Sequence, residues 1–161
     1  MKKILFLPVA ALVVAACAGP VPKLAPGTDE VQVRAALGPP ALVLKDPSGG
    51  SHLAYPNGPL GLTTHMARIG PDGKLVLLEQ VLDEDHFSRL KRGETTEAEV
   101  LRLLGPPAKR MEFPRLGQVA WDYRFMDAWG YLAEHSVMID GRGVYVGSVT
   151  KRLNDGRSDT K

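Results

Sequence analysis

Two stretches of this chain repeat each other, and the repeat restricts the fold more than any other feature. Residues 28–40 read TDEVQVRAALGPP and residues 95–107 read TTEAEVLRLLGPP, an offset of 67 that superposes Leu37 on Leu104. Thr28 and Thr95, Glu30 and Glu97, Val33 and Val100, Gly38 and Gly105, and both following prolines coincide. Val33, Ala36, Leu37 and Val100, Leu103, Leu104 follow i, i+3, i+4 spacing, which gives each segment one apolar helical face. Asp29 and Thr96 stand as equivalent N-caps, with Gln32 and Glu99 three residues later to complete a capping box. Gly38 and Gly105 supply the left-handed residue that ends a helix, and the prolines after them forbid its continuation.

The segments downstream of the two helices also match. Tyr55 in LAYP corresponds to Tyr123 in AWDYRF, and TTHMARI at 63–69 corresponds to EHSVMI at 134–139. Each copy then meets a turn, GPDG at 70–73 or DGRG at 140–143, and resumes as a β-rich run at 74–82 or 144–151. Shorter strands are expected at 41–45 and 108–113. A helix this short cannot bury its face alone, so each must lie across an antiparallel sheet. The expected fold is α+β: two tandem units, each a short helix or helix pair packed on a three- to four-stranded antiparallel sheet. The first unit spans 28–82. The second spans 83–153 and opens with a further short helix, DEDHFSRLK, capped by Asp83. Residues 154–161 are polar and read as a frayed tail.

The N-terminus carries a different signal. Lys2 and Lys3 precede an uncharged apolar run from Ile4 to Ala16, too short to span a bilayer but suited to a signal peptide. Val14, Ala15 and Ala16 then stand before Cys17 as in the lipobox that signal peptidase cleaves in bacterial lipoproteins. Cys17 is the only cysteine, so no internal disulfide can form, and acylation would remove an otherwise free thiol. The reading is a signal peptide at 1–16, a lipid on Cys17 and a proline-rich tether at 17–27. Two or more acyl chains give stable anchoring where one does not. Ala18 rather than aspartate after the cysteine points, by the sorting rule of enteric bacteria, to the outer membrane, facing the periplasm. Cleavage removes two of the 20 basic residues and leaves 18 against 18 acidic, so no basic footprint for nucleic acid remains.

Chemistry is sparse. His52, His65, His86 and His135 show no metal-ligand spacing, and His65 and His135 read as partly exposed strand histidines in equivalent positions. The acids at 29–30 and 83–85 sit at helix starts. No nucleophile elbow, S-x-x-K or P-loop is present. The expectation is a protein that is not an enzyme, with no metal, no cofactor beyond the lipid and no small-molecule substrate. Trp121, Tyr123 and Phe125 share a strand face by period two and are expected in the core. Trp129 and Tyr131, in the loop-like DAWGY, are candidate interface anchors.

The pattern Gly93-x-Thr95-x-Glu97-x-Glu99-Val100 through Leu104-Gly105-Pro106-Pro107, followed by Trp121-Asp122-Tyr123, resembles the SmpA/OmlA (BamE-like) family of outer-membrane lipoproteins. The first copy departs from it, with Pro26 at the Gly93 position and Gln32 at the Glu99 position. The tandem arrangement is also similar to the β-lactamase inhibitor proteins. The first resemblance implies an envelope lipoprotein that binds protein partners, with the barrel assembly machinery as one candidate. The second implies a binder or sensor of an envelope enzyme.

Overall fold

The computed structural model describes residues 22–57 and 61–153. The signal peptide, the first part of the tether with Cys17 (17–21), residues 58–60 and the tail at 154–161 lie outside the described residues. The first unit runs α1 (Glu30–Leu37), β1 (Leu42–Lys45), β2 (Ser51–Asn57), β3 (Thr63–Ile69) and β4 (Leu75–Gln80). A linking helix α2 (Glu84–Ser88) comes next. The second unit runs α3 (Glu97–Leu104), β5 (Lys109–Phe113), β6 (Gln118–Met126), β7 (Leu132–Asp140) and β8 (Tyr145–Arg152). The strands form two four-stranded antiparallel sheets in sequence order, β1 to β4 and β5 to β8. This is the α+β tandem that the repeat predicts, with the fourth strand present in both copies.

The two copies agree in detail. Tyr55 pairs with His65 and Tyr123 pairs with His135, and both sheets carry a register shift just before the last hairpin, at Arg68/Ile69 and at Met138/Ile139. Each helix start is latched to the fourth strand of its own sheet, through bridges Asp29–Lys74 and Thr96–Val144. A positive-φ glycine precedes each latch: the Gly27 N–H donates to the Leu75 carbonyl at 2.7 Å and the Gly93 N–H to the Tyr145 carbonyl at 2.8 Å. Alignment puts Pro26 opposite Gly93, but Gly27 does the work of Gly93 one residue later.

The caps are less alike than the sequence suggests. In α3 the capping box is complete, with the Glu99 carboxylate accepting from the Thr96 N–H at 2.7 Å and the Thr96 hydroxyl accepting from the Glu99 N–H. In α1 the Asp29 side chain makes no cap bond. Its carboxylate takes the ammonium of Lys74 at 3.2 Å instead, because the latch to β4 brings that lysine beside it. Both terminal glycines have positive φ but extended ψ (82° and −167° at Gly38, 77° and −166° at Gly105). That region belongs to glycine rather than to the left-handed helical residue expected.

Two clusters form the core. Val33 of α1 packs with Leu53, Tyr55, Ala67, Ile69 and Leu75 on one face of the first sheet. The opposite face of that sheet, through Ala54 and Met66, joins a larger cluster with Val81, Leu82 and Phe87 of the link, Val100 and Leu104 of α3, and Trp121, Tyr123 and Phe125 of β6. Helix α3 is therefore held from two sides, between the reverse of the first sheet and the inner face of the second. Burying Val100 and Leu104 completely contributes about 1.5–3 kcal/mol each. The units are thus two separate sheets joined through the larger of the two clusters.

Gly105 is the tightest point of this arrangement. A Cβ there would lie 3.0 Å from Thr64 Cγ2 and 3.2 Å from Ala54 Cβ, whereas one on Gly38 would meet nothing within 4 Å. Gly38→Ala should cost only the backbone conformation, about 1–3 kcal/mol, and Gly105→Ala about 1–3 kcal/mol more for overpacking. Urea unfolding of the two variants checks this, and equal losses would mean that the seam between the units is loosely packed.

Candidate interaction surfaces

Most of the titratable side chains with unusual surroundings serve the fold. His135 is not partly exposed as expected but 6% exposed. Its ring stacks on Phe87 at 4.1 Å, and its Nδ1 lies 2.7 Å from the Thr150 hydroxyl. Strand periodicity sets its face but not its depth; the link folds Phe87 over it. Burial pushes this imidazole down to about 4 and lowers His65 as well. His86, also buried, sits with Nδ1 2.7 Å from the Asp83 carboxylate that caps its own helix. Among the described residues no group of three His, Cys, Asp or Glu side chains is placed to hold a metal ion. A cleft of about 80 Å³ between the units, lined by Pro56, Thr64, Leu82, Pro106 and Tyr123, has room for little more than water. The acids at 29–30 and 83–85 lie at the starts of α1 and α2, where their positions in the chain put them.

The Trp129 loop is different. It closes the β6–β7 hairpin, with the Asp127 N–H donating to the Tyr131 carbonyl at 2.9 Å and the Gly130 N–H to the Asp127 carbonyl at 2.8 Å. The Asp127 carboxylate organises the turn. One oxygen accepts from the Trp129 N–H at 3.0 Å and the Tyr131 N–H at 2.8 Å, and the other from Arg152 at 2.7 Å. Burial alone would raise this carboxyl, but the Tyr131 N–H, the Arg152 guanidinium and the Trp129 N–H together hold it below its ordinary value. Arg152 also lies over the Tyr131 ring at 4.5 Å. At the tip Trp129 is 80% exposed and Tyr131 57%, with Met126 exposed beside them. The structure thus places both sequence candidates together on one rigid, outward-facing loop, while Trp121, Tyr123 and Phe125 are core.

A second surface escapes sequence reasoning. Leu42, Ala54 and Met66 form a register row on the face of the first sheet that packs against α3. The equivalent row in the second sheet is Lys109, Asp122 and Ser136. Among the described residues no helix packs on that face; Ala120, Asp122 and Glu134 along it are buried, and Met111 is exposed at the β5 side. The adjacent row, Met111, Ala120 and Met138, is apolar, and Val149 at the β8 edge is 64% exposed. Between them Ser136 donates to Asp122 at 2.6 Å, and Glu134 takes Lys151 at 2.9 Å with Arg124 at 3.7 Å. The signal available in sequence is the contrast of Leu53-Ala54-Tyr55 with Trp121-Asp122-Tyr123. Both faces are apolar in the first strand, and only one in the second.

Comparison with known proteins places the N-terminus. Residues 1–18 match the model of the prokaryotic membrane lipoprotein lipid attachment site, a stretch that includes the single cysteine, Cys17. The chain is therefore a membrane-anchored lipoprotein. The match lies outside both units, so their likeness to the SmpA/OmlA family remains a resemblance of motif. No curated protein matches the chain. Among solved structures, a DUF4309 family protein, YjgB, from Bacillus subtilis is similar at 15% identity over 78% of each chain, with a TM-score of 0.30. No helix among the described residues is long and apolar enough to cross a membrane.

The buried histidine makes stability depend on pH. The folded state holds His135 neutral down to about 4, whereas the unfolded chain protonates it near 6.5. Stability is therefore full above about pH 7, falls as pH drops through 6.5, and levels off below about 4, a loss on the order of 3 kcal/mol. Denaturant titrations across that range should show the slope, and His135→Gln should flatten it. A slope unchanged in the variant would assign the effect to other groups.

Proposed function

We propose that this chain is a non-enzymatic lipoprotein of the outer membrane, facing the periplasm, whose two-unit body binds an envelope protein through the open face of its second sheet. The observation that carries the reading is the inequality of two equivalent faces. In the first unit this face receives a helix, so the fold itself shows what such a surface can hold. In the second unit the face is left open and changed from apolar to mixed, with methionines and Val149 around paired charges. Interfaces that form and separate have this composition, with apolar anchors and satisfied polar groups together. Placement in the outer membrane rests on Ala18 after the lipid-bearing cysteine.

A part in outer-membrane protein assembly, or in envelope integrity more broadly, is the finer form of this reading, and its support is the motif resemblance of the second copy. A binder of a single envelope enzyme is the alternative, supported by the tandem arrangement of sheets. Photo-cross-linking distinguishes them. A photoreactive residue at Val149 or Met111 of the lipidated chain should capture a protein in intact envelopes, and one at the exposed Val31 of α1 should not. Capture of barrel-assembly components supports the assembly role, and capture of one hydrolase or β-lactamase supports the alternative. Equal labelling from all three positions would remove the sheet face from consideration.

A further inference from the structure

The Trp129 loop lies at the end of the second sheet and has no part in the open sheet face. Apart from the Arg152 guanidinium over the Tyr131 ring, its aromatic tip faces outward. Trp129 has its backbone N–H tied down by Asp127 while its indole stands free. Tyr131 keeps its ring under Arg152 and is still more than half exposed. Tryptophan and tyrosine with an arginine beside them are the residues that settle at the boundary between lipid tails and water, where an amphipathic ring suits both sides.

The lipid attachment site puts such a boundary within reach. From Cys17 to Leu24, which already packs on the first-unit core, the chain can extend at most about 25 Å. That is less than the length of a nine-residue strand such as β7, about 30 Å, so the body cannot stand far from the bilayer that holds its anchor. The tether joins the fold beside Leu75, at the β3–β4 end of the first sheet. The Trp129 loop sits toward the opposite end of that sheet. Its Ala128 N–H donates to Glu84 at 3.3 Å, and the segment leading to Glu84 is held where Val81 donates to Thr64 at the start of β3. Both points can meet one membrane when the strands lie along it. Of the acids near the loop, the Asp127 carboxylate is paired with Arg152 and that of Glu134 with Lys151 and Arg124, while that of Glu84 takes the Ala128 N–H. Neither Asp127 nor Glu134 has to be brought unpaired against lipid head groups.

We infer that Trp129 and Tyr131 insert into the head-group layer of the same bilayer that carries the lipid on Cys17, fixing the body with its strands along the membrane. The lipid anchor supplies the high local concentration that lets one aromatic pair act, and the rigid loop presents the ring without an ordering cost. The open face of the second sheet is then held at a fixed angle to the membrane instead of tumbling on the tether.

The test uses the full lipidated chain reconstituted in phosphatidylcholine vesicles, with and without bromine on the acyl chains. Bromine quenches tryptophan only at close approach. Trp121 is 2% exposed within the core, so a quenched component belongs to Trp129. The expected result is about a twofold loss of the Trp129 emission in brominated vesicles, absent in Trp129→Phe, a surface change that leaves the fold intact. Asp127→Ala, which frees the loop, should lessen the quenching. Emission that brominated lipid leaves unchanged would overturn the inference. So would protection of Trp129 from acrylamide in intact envelopes but not in the vesicles, since a protein would then occupy the loop.

Discussion

Everything in the body turns on α3 being held from both sides. An eight-residue helix cannot persist alone in water, because nucleation costs more than so few bonds return. α3 escapes this by packing Val100 and Leu104 into a cluster fed by both sheets and by ending on a glycine whose bare Cα fits against Ala54 and Thr64. The buried Tyr123 hydroxyl then donates to the Gly105 carbonyl at 3.0 Å, so the second sheet fixes the same residue that the first sheet crowds. One position thus sets the distance between the units.

The first copy shows what is lost without that second contact. Tyr55 is the counterpart of Tyr123, yet its hydroxyl has no partner, and burial raises its pKa. Gly38 faces open space, Asp29 caps nothing with its side chain, and Val33 is the one fully buried residue of α1. The sequences of the two helices are close enough to superpose, but their surroundings make one a structural centre and the other a cover.

Legibility in the sequence tracks locality. The helix limits, the hairpin turns and the core face of β6 can be read because caps, glycines and period-two alternation act within a few residues. Readings that fail depend on distant ones. Asp29 is drawn from its cap by Lys74, 45 residues away, and His135 is buried by Phe87 of the link. The open sheet face is recorded in the chain as Asp122 in place of Ala54, but its meaning needs the register. Only then does one of these positions prove to lie under α3 and the other under no helix, buried instead among side chains of its own sheet. Trp129 and Tyr131 are legible as loop residues, whereas the carboxylate that holds the loop rigid is not.

That rigidity separates what Trp129 does for the fold from what it does outside it. The bonds of Asp127 run to backbone N–H groups and to Arg152, and any residue at position 129 would supply the same N–H. The hairpin would close equally well over a small polar side chain, which would cost less in exposed apolar area. The corresponding turn of the first copy, in the sequence around Asn57 to Leu62, carries no aromatic residue. An indole 80% exposed, beside the exposed Tyr131 and Met126, on a turn that does not require it is the observation behind its proposed contact beyond this chain. The tether from Cys17 to Leu24 keeps the body within about 25 Å of its bilayer, which is why lipid is the neighbour proposed for that indole.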